Sequence, residues 1–152
     1  MELKRQYVDP FIVSGLRVRT DNAAEKKAET AKIGAVWEQF HQEQLAAVIA
    51  GKPTESPAYG VYLNYDSDTS GAFDVIAGVA VITPAPDFQT VKVEAGDYLI
   101  FAAEGPLPGA VIETWGKVWT FFNENPQIQR RYATDFEAYT GPESVSIYIG
   151  IR

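Results

Sequence analysis

Cysteine is absent from the 152 residues, which removes disulfides, thiolate nucleophiles and Cys-based zinc sites from consideration. Histidine occurs once, at His41, in a stretch that reads as helix beside Gln42 and Glu43. The expectation is a surface residue, because no His-x-x-x-His or Glu-x-x-His set accompanies it. No segment approaches the ~20 apolar residues of a membrane span, and Met1 to Pro10 carries charge without an apolar core, so the expected location is the cytoplasm. Positive charge is scarce: 13 Lys and Arg against 20 Asp and Glu leave a formal charge of −7, which repels phosphate backbones and anionic membranes alike. Direct nucleic-acid binding and membrane association are therefore not expected, and Lys26-Lys27 is too short to make a basic patch. Gly51-Lys52 and Gly116-Lys117 lack the spacing of a phosphate-binding loop. Asp66-Ser67-Asp68 starts like a calcium loop but lacks the rest. No cofactor and no metal is implied.

What is present is a globular composition, 46% hydrophobic and 22% charged, with a length that suits one domain, residues 1–152, burying roughly two-thirds of the surface its unfolded chain exposes. Three Trp, eight Tyr and eight Phe exceed what a modest core needs, and aromatic side chains also line ligand pockets.

The pattern predicts a strand over Phe11 to Thr20, a cap at Asp21-Asn22, and one helix from Ala23 to about Ala50 on the stripe Ile33, Val36, Trp37, Phe40, Leu45, Val48 and Ile49, closed by Gly51-Lys52-Pro53. Pro57 to Tyr65 and Phe73 to Thr83 read as a hairpin around the Asp66 to Gly71 turn. Pro84-Ala85-Pro86 marks the connection between two halves. Gln89 to Val93 and Tyr98 to Ala103 read as a second hairpin around Glu94 to Asp97. From Pro106 to Pro108 a second helix starts, with the stripe Ile112, Trp115, Val118, Trp119 and Phe122, and ends near Asn125-Pro126. Asp135 to Tyr139 and Ser144 to Ile151 close the chain as strands joined through Gly141-Pro142.

The halves, about 11–83 and 89–152, repeat each other. Ile33-Gly-Ala-Val-Trp-Glu-Gln-Phe40 aligns with Trp115-Gly-Lys-Val-Trp-Thr-Phe-Phe122, Gly15 with Gly96, Tyr59 to Tyr62 with Phe136 to Tyr139, and Ala77-Gly-Val79 with Ile149-Gly-Ile151. The expected fold class is α+β: a duplicated strand-helix-strand-strand module of two mainly antiparallel halves with pseudo-twofold symmetry, leaving a central ligand groove where pockets prefer to form.

Those same segments, namely Val13 to Thr20, Ile33 to Phe40, the hairpin Tyr59 to Ala80, Trp115 to Trp119 and Asp135 to Tyr139, together resemble the GyrI-like effector-binding domains found at the ends of AraC-type and MerR-type regulators. The likeness covers nearly the whole chain and points to the stand-alone branch, of the integron-cassette effector-binding kind. It implies a groove for hydrophobic, cationic compounds, as in multidrug binding, and one acidic residue in that groove supplied by a Phe-Glu-x-Tyr segment. Here that segment is Phe136-Glu137-Ala138-Tyr139.

The residues independently single out Glu137, because its repeat partner is Gly60, so a symmetric scaffold carries a carboxylate on one side only. Alternation puts Glu137 and Tyr139 on one face of their strand and Phe136 with Ala138 on the other. Tyr62, the repeat partner of Tyr139, joins them from the opposite wall. Trp115 replaces Ile33 and is the next candidate; Trp119, matched by Trp37, follows, with Tyr98 and Tyr148 last. A flat cation between such rings gains about 0.5–2 kcal/mol of cation–π attraction. The expected activity is binding of a small lipophilic cation without catalysis. The resemblance also admits a hydrolase of strained DNA-alkylating natural products, and a regulator or DNA gyrase as protein partner.

Overall fold

The computed structural model describes residues 3–50, 57–67, 71–107, 109–141 and 143–152. The helix stop at Gly51 to Pro53, the turn residue Asp68, Pro108 and Pro142 lie outside them. The described chain runs β1 (Lys4–Val8), β2 (Phe11–Thr20), α1 (Asn22–Glu25), α2 (Ile33–Gln42), α3 (Leu45–Ala50), β3 (Ala58–Leu63), β4 (Phe73–Val81), β5 (Gln89–Val93), β6 (Gly96–Glu104), α4 (Gly109–Glu124), β7 (Thr134–Gly141) and β8 (Ser144–Gly150). All strands join one eight-stranded antiparallel sheet in the order β1-β6-β8-β7-β3-β4-β2-β5. The order is symmetric about the central β7–β3 pair: β3, β4 and β2 lie to one side as β7, β8 and β6 lie to the other. The α+β class and the two strand-helix-strand-strand halves are as expected. Register shifts one alignment, since Tyr98 stands opposite Gly150 as Gly15 stands opposite Gly78; Tyr98, not Gly96, holds the place of Gly15.

The predicted β5–β6 hairpin does not form. β5 pairs with β2, and β6 pairs with β1 and β8. Val8 opposite Gly96 and Phe11 opposite Val93 belong to one register, three residues on along one strand and three back along the other. Residues 4–15 and 89–100 are therefore two bent strands paired along their length, with Asp9-Pro10 and Glu94-Ala95 as corners rather than turns. Gly96 has φ +151°, which a side chain rarely adopts, and the Arg131 guanidinium lies over it. Glu94 N–H donates to Thr134 Oγ1 at 3.1 Å, tying that corner to β7. The pairing curls the sheet around Val13, Val61, Ile76, Val93, Tyr98 and Phe136, a core on the face away from the helices.

The single long helix expected from Ala23 is three helices. Asp21 caps α1 as predicted, accepting from Ala24 N–H at 2.7 Å. The Glu25 carboxylate then accepts from the N–H groups of Lys32 (2.8 Å) and Ile33 (3.1 Å), starting α2 afresh. Gln44, at φ +51°, separates α2 from α3. Val36 and Phe40 pack on Ala77 and Val79 of β4. On α4 the buried stripe is Val111, Thr114 and Val118, against Leu99, Phe101, Val145, Ile147 and Ile149. Ile112 is 66% exposed and Trp119 39%, so the predicted apolar stripe spans two faces of α4, one turned to the core and one turned away from it.

Gly15 and Gly78 allow β2 and β4 to approach closely. A Cβ on Gly78 would lie 2.2 Å from the Ser14 carbonyl oxygen and one on Gly15 2.0 Å from that of Ala77. Backbone cannot yield as a side chain can, so Gly78→Ala is expected to lose about 1–3 kcal/mol or more in urea unfolding.

Candidate functional site

The helix-facing residues of the central pair are Ala58, Gly60 and Tyr62 on β3 and Asp135, Glu137 and Tyr139 on β7, as the period-2 pleat dictates. Helices α2 and α4 flank this floor and enclose a cavity of about 1010 Å³, the size of a drug-binding pocket. Ile33, Gly34, Trp37 and His41 contribute from α2, and Ile112, Trp115, Gly116 and Trp119 from α4. Tyr62, Phe73, Glu137 and Tyr139 form the floor, with Tyr65, Arg130 and Tyr132 to one side.

Glu137 is 2% exposed. Its Oε2 accepts from Tyr62 OH at 2.9 Å and Trp115 Nε1 at 2.6 Å, and its Oε1 from Tyr139 OH at 2.8 Å. All three donors are neutral, and none of the ion pairs among the described residues involves Glu137. Burial raises its pKa above the ordinary value, opposed by the hydrogen bonds from Trp115, Tyr139 and Tyr62. Burial, then the Glu137 charge, pushes both Tyr62 and Tyr139 far above the usual phenol range, so both stay donors. The carboxylate fits because Gly60 is directly opposite: a Cβ there would stand 2.7 Å from Glu137 Oε1 and 3.1 Å from the Trp37 ring.

Asp135, two residues earlier on the same face, is the structural counterpart. It is fully buried, but its Oδ2 accepts from Arg130 Nη2 at 2.7 Å and Tyr65 OH at 2.5 Å, and its Oδ1 from Gly150 N–H at 2.8 Å. Arg130 in turn lies 4.5 Å over the Tyr132 ring. Among the described residues, one of these two buried acids has a cation partner and the other does not.

Of the residues expected from sequence, Glu137, Trp115, Tyr139 and Tyr62 meet in one hydrogen-bonded group, and Trp119 stands at the cavity rim. Tyr98 and Tyr148 are on the opposite face and are corrected out of the site. Alternation with Leu99, Ile147 and Ile149, which face α4, forces them there. Tyr148 stacks on Phe136 at 4.4 Å, and Tyr98 OH donates to the Glu94 carbonyl at 2.6 Å. Trp37, the repeat partner of Trp119, also lines the cavity, with its Nε1 buried and unpartnered. His41 is exposed as expected, yet its ring stacks on Trp37 at 5.8 Å. Gly34, Gly60 and Gly116 carry no apolar signal; only the repeat alignment, where Gly34 matches Gly116 and Gly60 matches Glu137, marks them.

The raised pKa of Glu137 fixes the sign of a pH effect. The folded state holds the proton more tightly than the unfolded one, so stability is full below the ordinary carboxylate value of 4.5 and falls as pH rises through the folded value. Glu137→Gln removes that fall: the stability of the variant relative to wild type is expected to increase with pH over this window in urea denaturation.

No helix among the described residues is long and apolar enough to cross a membrane, and no His, Cys, Asp and Glu cluster among them is arranged to hold a metal ion. The chain is 38% identical to an integron cassette protein from the mobile metagenome of Vibrio cholerae, with 99% of this chain and 95% of that one covered at a TM-score of 0.87. It is 28% identical over 91% of both chains to YobU of Bacillus subtilis, a protein assigned to transcriptional regulation. The fold is shared with SAV2435, solved bound to tetraphenylphosphonium, at 18% identity, a TM-score of 0.80 and coverage of 100% and 94%. Residues 6–151 match the family model for integron-associated effector-binding proteins (Cass2). With this fold, a large groove between two helices and a family match spanning almost the whole sequence, the chain belongs to the integron-associated effector-binding protein family.

Proposed function

We propose that the protein binds lipophilic aromatic cations in the cavity between α2 and α4, with Glu137 as the charge-reading residue and Trp115, Tyr62, Tyr139, Trp37 and Trp119 as its aromatic surroundings. The observation that carries this reading is that Glu137 is buried with three neutral donors and, among the described residues, no cation paired to it. A carboxylate removed from water costs several kcal/mol unless a positive charge compensates it, and in a low-dielectric site a cation does so without direct contact. Tetraphenylphosphonium, the ligand of SAV2435, is a cation of this sort, its charge shielded by rings and offering no hydrogen-bond donor.

On this reading the donors fit the site for chemically different cations. Tyr62, Trp115 and Tyr139 satisfy the carboxylate within the protein, so a ligand need not supply a hydrogen bond in a fixed direction. Charge and aromatic surface are what it must bring, the latter for stacking and cation–π contact. The same contacts support binding over turnover: three of the roughly four lone-pair sites of the Glu137 carboxylate are taken by protein donors, which leaves little room to take a proton from a bound water.

Glu137→Gln preserves shape and removes charge. Attraction between two charges about 8 Å apart at an effective dielectric of about 20 contributes roughly 2 kcal/mol. Affinity for tetraphenylphosphonium, followed by quenching of Trp fluorescence, is expected to fall roughly tenfold or more, whereas affinity for neutral triphenylphosphine oxide changes little. Equal losses for the two compounds would remove Glu137 from the charge-reading role.

A further inference from the structure

Helical glycine normally has a reason, because it is among the least helix-favouring residues. At the strand glycines Gly15 and Gly78 the reason is backbone contact. Gly34 in the first turn of α2 and Gly116 in the middle of α4 have none of that kind: a Cβ built on either would meet no atom within 4 Å. Both line the cavity, so the open space above them belongs to it. Each is followed three residues later by a cavity-lining tryptophan, Trp37 or Trp119, which on a helix places glycine and indole side by side on one face. The two helices thus present the same device from opposite walls, a bare stretch of backbone beside an indole.

We propose that Gly34 and Gly116 are specificity-determining positions that form two ring slots, one per helix, and that the site selects cations carrying at least two separated aromatic rings over cations of similar charge with one. The proposal rests on the cation-binding reading of the same cavity and adds the shape of the ligand class to it. A ring in each slot lies against helix backbone with its edge or face toward the neighbouring indole, while the charge stays near the central strands that carry Glu137. A single-ring cation fills one slot at most and gains nothing from the second.

The test uses the intact protein with Gly34→Leu and Gly116→Leu, leucine being a good helix former that would fill each slot, and with the corresponding alanine variants as controls for stability. Three probes are titrated: tetraphenylphosphonium, triphenylphosphine oxide and benzyltrimethylammonium. The alanine variants are expected to unfold at denaturant midpoints equal to or above wild type. Each leucine variant is expected to lose about tenfold or more in affinity for both multi-ring probes, with the single-ring cation within about twofold of wild type. Leucine variants that keep wild-type affinity for both multi-ring probes would overturn the slots, as would alanine variants with lowered midpoints, which would show a packing role. Failure of the charge reading looks different: wild type would then bind tetraphenylphosphonium no better than triphenylphosphine oxide, while the leucine losses on both persisted and upheld the slots. A wild-type protein that binds none of the three would overturn both.

Discussion

A carboxylate held inside an aromatic cavity by neutral donors is the constraint on which the rest of this protein depends. Glu137 lies at the centre of the sheet, on the strand pair where the two halves meet, with Gly60 directly across from it. That opposition is why the two halves differ at this point. The carboxylate of one strand occupies the room that the other strand leaves by having no side chain there, and a second acid in the same place would add like charge at close range. The donors that surround Glu137 come from three elements: Tyr62 on β3, Tyr139 on β7 and Trp115 on α4. Shifting either strand or the helix would break at least one of them, so the sheet and α4 are held in place partly by the group they serve.

The architecture supplies rigidity from elsewhere. The bent strands 4–15 and 89–100 pair along their length and wrap the sheet around a core of its own, so the helix face is free to be hollow. Separate clusters under α2 with α3 and under α4 fasten the walls. Asp135 shows what a structural acid looks like in the same neighbourhood: its charge is met by Arg130, and its other oxygen by a backbone N–H of β8. Two carboxylates two residues apart thus separate into one paired with an arginine and one held by neutral donors.

Much of this was legible in the sequence, for identifiable reasons. Strand alternation placed Glu137 with Tyr139, and the repeat alignment brought in Tyr62 and set Glu137 against Gly60. Trp115 stood out because its counterpart is Ile33. Three kinds of information were hidden. Turn chemistry at Glu94 to Asp97 looks the same whether a strand reverses or merely bends, and only long-range pairing with residues 4–15 decides between them. Aromatic richness also does not say which face a ring takes. Tyr148 could have been removed by its position between Ile147 and Ile149, whose apolar alternation defines the helix face, but Tyr98 follows the non-local register with β8. The glycines escaped because open space is a property of the assembled helices, not of the residue.

A ligand that completes the charge of Glu137 must also displace the proton that burial favours there, and proton linkage is the direct test. Calorimetric titration of tetraphenylphosphonium from the ordinary carboxylate value of 4.5 upward, in two buffers of different ionisation enthalpy, measures protons exchanged on binding. A bound cation favours the ionised carboxylate, so the account predicts proton release near the raised pKa, affinity that climbs with pH to a plateau, and loss of both in Glu137→Gln. Affinity independent of pH across that range, with the same heat in both buffers, would contradict it.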